Sequence, residues 1–204
     1  FTALYFEIMK IDTDFKMDGK NEDLFFLSNG HISPVFYSTL ARRGFFDVKE
    51  LATFRHINSR LQGHPTTHEG LPGIRIASGS LGQGISVAIG AALAKKMDGD
   101  DKLVYCLTGD GELQEGQIWE ALIFAAAKKV DNLIVTVDWN NAQIDGSTQQ
   151  VCDLGDLKAK FLAFGFEVLE MKGNVMDDVV FTLTEAQLKT KKGKPVCILM
   201  HTEM

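Results

Sequence analysis

The stretch LVYCLTGDGELQEG, from Leu103 to Gly116, and the run LIVTVDWNN that follows from Leu133 to Asn141 decide the fold. Leu103–Leu107 and Leu133–Val137 are short, bulky and continuously apolar between polar flanks, the pattern of strands covered on both faces. Between them Ile118, Leu122, Ala125 and Ala126 share one face of a helix running from Gly116 to Lys129. Phe166–Leu169 and Val196–Met200 read as two further strands, set off by helical patterns at Leu157–Phe164 and Met176–Leu188. Strand and helix in regular alternation predict an α/β fold: a central, mainly parallel sheet flanked by helices on both faces, joined by right-handed crossovers. The first hundred residues are richer in helix and loop, with candidate helices at Thr2–Met9, Pro34–Arg43, Val48–Ile57 and Leu81–Lys96. Gly79, Gly82, Gly84 and Gly90 lie at or inside the start of the last helix, where bare backbone can face a ligand.

The 204 residues, 45% apolar and 24% charged, suit one globular domain spanning positions 1–204, and no repeat or Pro/Gly/Ser linker divides them. A formal charge of -6 argues against nucleic acid as a main partner, since a wide phosphate footprint needs a basic face. No window reaches the ~18 to 20 apolar residues of a membrane span, so the expectation is a soluble, cytoplasmic protein. Cys106, Cys152 and Cys197 have neither paired spacing nor an even count; two of them lie inside apolar runs that read as buried strands, and the expectation is reduced core thiols. The sequence opens on Phe1 within a helical pattern and stops soon after a strand, as a segment of something longer would.

Ligands of an open parallel sheet gather beyond the carboxyl ends of its strands. There the first strand above runs into Thr108-Gly109-Asp110-Gly111-Glu112 and the second into Asp138-Trp139-Asn140-Asn141. Asp110 and Asn140 are one strand-helix-strand unit apart, so both side chains should reach the same edge of the sheet. One carboxylate, one amide oxygen and a nearby carbonyl would satisfy Mg2+, which takes about six oxygen ligands and leaves several to phosphate and water. Gly109 and Gly111 let the backbone turn closely around a diphosphate, and amides at the start of the Gly116 helix add partial positive charge. The competing Rossmann reading lacks its fingerprint: Gly79-x-x-Gly82-x-Gly84 has the wrong spacing and no clear strand before it.

The run Gly109-Asp110-Gly111-Glu112-Leu113-Gln114-Glu115-Gly116, with Asn140 and then Ile144-Asp145-Gly146, resembles the thiamine-diphosphate motif of transketolases. Leu27-Ser28-Asn29-Gly30-His31, Gly63-His64-Pro65 and Gly79-Ser80-Leu81-Gly82-Gln83-Gly84 look like the same family, in order and spacing, over nearly the whole chain. The resemblance implies the thiamin-diphosphate-binding fold and transfer of a two-carbon ketol unit between sugar phosphates, as in the pentose phosphate pathway. It implies thiamine diphosphate and Mg2+ as cofactors, with Ca2+ or Mn2+ able to substitute. Asp110, Asn140 and the Ala142 carbonyl match the family's metal ligands. Gly109 and Gly111 match the diphosphate loop, and Gly79 and Leu81 the segment lining the cofactor rings. Ser80 departs from the proline common there, which implies a less rigid loop. His31 and His64 match active-site histidines, which suit proton exchange near neutral pH. Glu115 matches an acid near the subunit interface. His56, His68 and His201 match no motif.

In the family the cofactor lies between this domain and a pyrimidine-binding one, which is absent here. The resemblance therefore implies a C-terminal partner subunit, self-association into a heterotetramer, and no activity in isolation. Two origins remain open, a natural N-terminal subunit of a split transketolase or a fragment of a full-length enzyme. The compact Ile57–Gly63 loop and the close after the Val196 strand favour the first. Other functional readings are a non-catalytic cofactor-binding or regulatory module, a deoxyxylulose-phosphate synthase and a 2-oxoacid dehydrogenase component.

Overall fold

In a computed structural model describing residues 1–203, seven strands are arranged with six α-helices. The strands are β1 (Leu24–Leu27), β2 (Val104–Gly109), β3 (Leu133–Trp139), β4 (Ala142–Gln143), β5 (Gly146–Ser147), β6 (Glu167–Lys172) and β7 (Val196–His201). The helices are α1 (Ser33–Arg43), α2 (Gly84–Met97), α3 (Gly116–Ala127), α4 (Thr148–Cys152), α5 (Leu157–Ala163) and α6 (Met176–Lys189). Five strands form one parallel sheet in the order β1-β2-β3-β7-β6, and β4 pairs antiparallel with β5 in a small hairpin.

Residue alternation along the strands divides the core into two layers. Val104, Cys106, Val135 and Val137 point into one, packed with Ile85 and Ala88 of α2, Leu122 of α3 and Phe161 of α5. Tyr105, Leu107 and Ile134 point into the other, packed with Tyr37 of α1, Leu183 of α6 and Tyr5 of a short N-terminal helical turn. The chain advances across the sheet from β1 through β2 and β3 to β6, then turns back to insert β7 between β3 and β6. Reversing direction moves the connecting helix to the opposite face, as constant crossover handedness requires. Thus α2, α3 and α5 share one face and α6 takes the other.

The predicted strands and the helices at 116, 157 and 176 form within a few residues of their expected limits. Four details differ. The strand β1 falls within a stretch read as helix and loop, because only four residues of LFFL carry it and β2 supplies its ladder. Leu81–Gln83 stay outside α2, since positive φ at Gly82 (83°) cannot continue a helix. Val48–Thr53 forms a 3-10 helix with Asp47 capping it, and Leu4–Ile8 winds as a π-helix. As the apolar runs predict, Cys106 and Cys197 are buried in strands, and burial pushes both of their pKa values up; Cys152 ends α4 in an exposed position.

Candidate functional site

The carboxyl ends of β1, β2 and β3 lie side by side, because Leu27 pairs with Leu107 and Gly109 pairs with Asp138. Asp110 leaves β2 almost fully buried, at 3% exposure. Its Oδ1 accepts the Gly111 amide at 2.7 Å and its Oδ2 accepts the Asn141 amide at 2.6 Å. From the other loop, Asn140 Oδ1 accepts the Ala142 amide at 2.8 Å. Both predicted ligand side chains therefore lean on the same short segment, Asn141–Ala142, which leads into the β4–β5 hairpin.

Burial pushes the Asp110 pKa up, and the neighbouring Asp138 adds to the shift against the bonds from Asn141 and Gly111. Among the described residues no cationic side chain forms an ion pair with Asp110. Nor do they contain a cluster of three or more His, Cys, Asp or Glu placed to hold a metal. A divalent ion here would draw on one carboxylate, one amide oxygen and the Ala142 carbonyl, completed by phosphate and water, a mixed oxygen set that suits Mg2+. The amides nearest Asp110 belong to a 3-10 turn, Gly111–Gln114, of which Asp110 is the cap; α3 begins only afterwards, at Gly116.

The surroundings fit a hydrated ion with an anionic ligand. Asn29 Oδ1 and Gln143 Oε1 are buried and without a hydrogen-bond partner, as is Ser78 Oγ. Unpaired acceptors of this kind need donors, and the waters of a metal ion would supply them. A Cβ at Gly111 would come within 3.2 Å of Gln143 Oε1, so this side of the loop is already closely lined. Gly79 has φ +117°, and a Cβ there would lie 2.8 Å from the His64 ring. Glycine at 79 thus brings the Gly79–Leu81 loop flat against His64. Both His31 and His64 are exposed, His64 beside an open cleft that also holds Arg55, Gln62 and His68. Ile144, at the tip of the β4–β5 hairpin, is fully exposed.

A family model described as the transketolase thiamine diphosphate binding domain matches residues 2–204. The chain belongs to the transketolase family. Among related transketolases, it is 40% identical over 201 residues to an apulose-4-phosphate transketolase subunit from Phocaeicola vulgatus, covering 98% of this chain and 70% of that one. It is 41% identical over 200 residues to a 6-deoxy-6-sulfo-D-fructose transketolase subunit from a Clostridium species, covering 98% and 71%. The transketolase of Leishmania mexicana has a similar structure, with a TM-score of 0.89 at 33% identity over 98% of this chain. Against that solved transketolase the chain spans 31% of the length.

Within this transketolase domain, Glu115 immediately precedes α3 in an exposed position with its Cβ 3.0 Å from where a Cβ on Gly82 would stand, so it borders the Gly82 loop. Its neighbour Glu112, which carried no role in the sequence, is buried at 2% exposure and bonded to three loops at once. Asn29 also had no assigned role. Its only sequence signal was membership of the Ser-Asn-Gly-His run, and folding beside Gly109 is what brings its side chain to the site.

Proposed function

We propose that residues 1–204 form the diphosphate-binding domain of a transketolase-type enzyme that moves a two-carbon ketol unit between sugars. Asp110, Asn140 and the Ala142 carbonyl hold Mg2+, or Ca2+ or Mn2+ in its place, against the diphosphate of thiamine diphosphate. Gly109 and Gly111 give that group close access to backbone, and Gly79 and Leu81 line its rings. When bound, thiamine diphosphate supplies an electron sink for the carbon–carbon bond that breaks in ketol transfer. His31 and His64 face the substrate and exchange protons with its hydroxyl and carbonyl oxygens, work for which an imidazole is suited near neutral pH. Their exposure is consistent with a site completed by another chain or domain, and a partner carrying the pyrimidine-binding domain fills that role. Glu115, exposed near the Gly82 loop, faces a subunit contact in a heterotetramer.

The single observation that supports this most is the buried Asp110 carboxylate, without a cationic partner among the described residues and held against the Asn140–Ala142 segment. The substrate class is a ketose with an anionic tail. Relatives named for apulose 4-phosphate and for 6-deoxy-6-sulfo-D-fructose use a phosphate and a sulfonate there. The cleft beside His64 carries Arg55 and His68 on its wall together with Glu69, and Arg55 is the group there that would meet either anion. Reconstituting the chain with its partner and assaying ketol transfer from several phosphorylated and sulfonated ketoses tests the proposal. Mg2+-dependent thiamine diphosphate binding with transfer to an aldose acceptor is the expected result, and absence of cofactor binding by the assembled protein would overturn it.

A further inference from the structure

We propose that Glu112 is a positioning residue that fixes the three cofactor-facing loops relative to one another, an inference that rests on the cofactor reading above. Its carboxylate is buried at 2% exposure, and among the described residues no cationic side chain pairs with it. Instead it collects three neutral donors. Oε1 accepts a short bond from the Ser28 hydroxyl and another from the Gly82 amide at 2.7 Å, while Oε2 accepts the Gly109 amide at 3.1 Å.

Each donor belongs to a different loop of the site. Ser28 begins the turn that carries His31, Gly82 follows Leu81, and Gly109 precedes Asp110. The loops touch at their backbones as well. A Cβ at Gly30 would stand 2.7 Å from the Gly79 nitrogen, and one at Gly84 would stand 2.7 Å from the Ser28 Cα. Contacts of that closeness hold shape but not direction; a buried carboxylate with three donors sets direction, because each bond has a preferred line. Glu112 also occupies the Gly82 and Gly109 amides, so these two donors are committed to the frame.

The bonds can be separated by substitution. Glu112→Gln keeps one oxygen for Ser28 and Gly82 but turns an NH2 toward the Gly109 amide, which frees the Asp110 loop. Ser28→Ala leaves both amide bonds and frees only the His31 turn. The protein assembled with its partner subunit is the test object, with Glu7→Gln as an exposed carboxylate control.

Amide hydrogen exchange on the cofactor-free assembly is the first measurement. Faster exchange at 109–111 in Glu112→Gln and at 28–31 in Ser28→Ala, with β6 and β7 unchanged, is expected. Unchanged exchange in these loops for both variants would overturn the proposal without touching the cofactor reading. Titration of Mg2+ with thiamine diphosphate, followed by tryptophan fluorescence, is the second. Glu112→Gln should need at least about tenfold more cofactor for half-saturation, from loss of a charge-assisted bond and misplacement of Asp110. Ser28→Ala should bind cofactor within about twofold of the wild type and raise substrate KM while kcat stays closer to normal. Equal cofactor affinity in wild type and Glu112→Gln would refute positioning, whereas a wild type that binds no cofactor would refute the reading of the site itself. If Glu112→Gln does not fold, the exchange pattern and KM of Ser28→Ala still decide.

Discussion

Asp110 has left water without gaining an ion-pair partner among the described residues, and the Gly111 and Asn141 amides hold its two oxygens. Replacing it by Asn keeps the size and removes the charge a metal ion needs. Asp110→Asn is therefore expected to abolish the rise in Tm that Mg2+ and thiamine diphosphate give the wild-type assembly. Differential scanning calorimetry with and without both ligands, and with EDTA, measures this. A different carboxylate, Asp100, has its partner: Lys95 lies 2.7 Å away with both side chains nearly buried. Burial by itself raises the Asp100 pKa, but the Lys95 ammonium and the Lys102 and Asn21 amides outweigh it and bring the group below the usual carboxylate range. A depressed native pKa means that this stabilisation is present above the unfolded value and fades as pH falls through the native one. Asp100→Asn should cost about 3 kcal/mol at neutral pH, because it leaves Lys95 buried and unpaired. The loss should shrink toward the acid end of that range, as urea unfolding at a series of pH values would record.

Glycines separate the elements that carry the site from those that only support it. Gly30 sits where a Cβ would press on the Gly79 and Ser78 backbone at 2.7 and 2.8 Å, so no side chain can yield to make room. Gly30→Ala should destabilise the protein by roughly 1–3 kcal/mol, an overpacking cost, and move His31 away from the Gly79 loop. Gly90 is inside α2 on an exposed face, and a Cβ added there would meet nothing within 4 Å. Gly90→Ala should raise stability by about 0.5–1 kcal/mol, the helix preference of Ala over Gly. Thermal unfolding of the pair reads both signs in one experiment. Element by element, α3, α5, α6, β2, β3, β6 and β7 were legible, since each is long or apolar enough to announce its period. The strand β1 was not, being four residues of LFFL that owe their ladder to β2, far away in sequence. The β4–β5 hairpin escaped notice for a related reason: two-residue strands have no period to read.

For the molecule as a whole, apolar residues remain on the outer surfaces of two neighbouring helices: Val87 on α2, and Ile123 and Phe124 on α3, are 46%, 59% and 45% exposed. With Glu115 at the start of α3, this face is where self-association is expected. Ile123→Glu should shift the assembly to smaller species in analytical ultracentrifugation, while the unfolding free energy of the dissociated chain changes by no more than about 0.5 kcal/mol. The sequence by itself determined the sheet's direction, most of its strands, the family and the candidate ligands Asp110 and Asn140, because hydrophobic period and motif spacing are local properties of the chain. The tertiary structure alone decided that Asp110 meets the Asn141 amide and that His64 lies on Gly79. It alone decided, too, that Glu112 joins three loops. The contacts of Asp110 with Asn141, of Gly79 with His64 and of Glu112 with Ser28 and Gly82 join segments distant along the chain, and which donor reaches which acceptor is fixed by how the strands order and register, a property no local pattern carries.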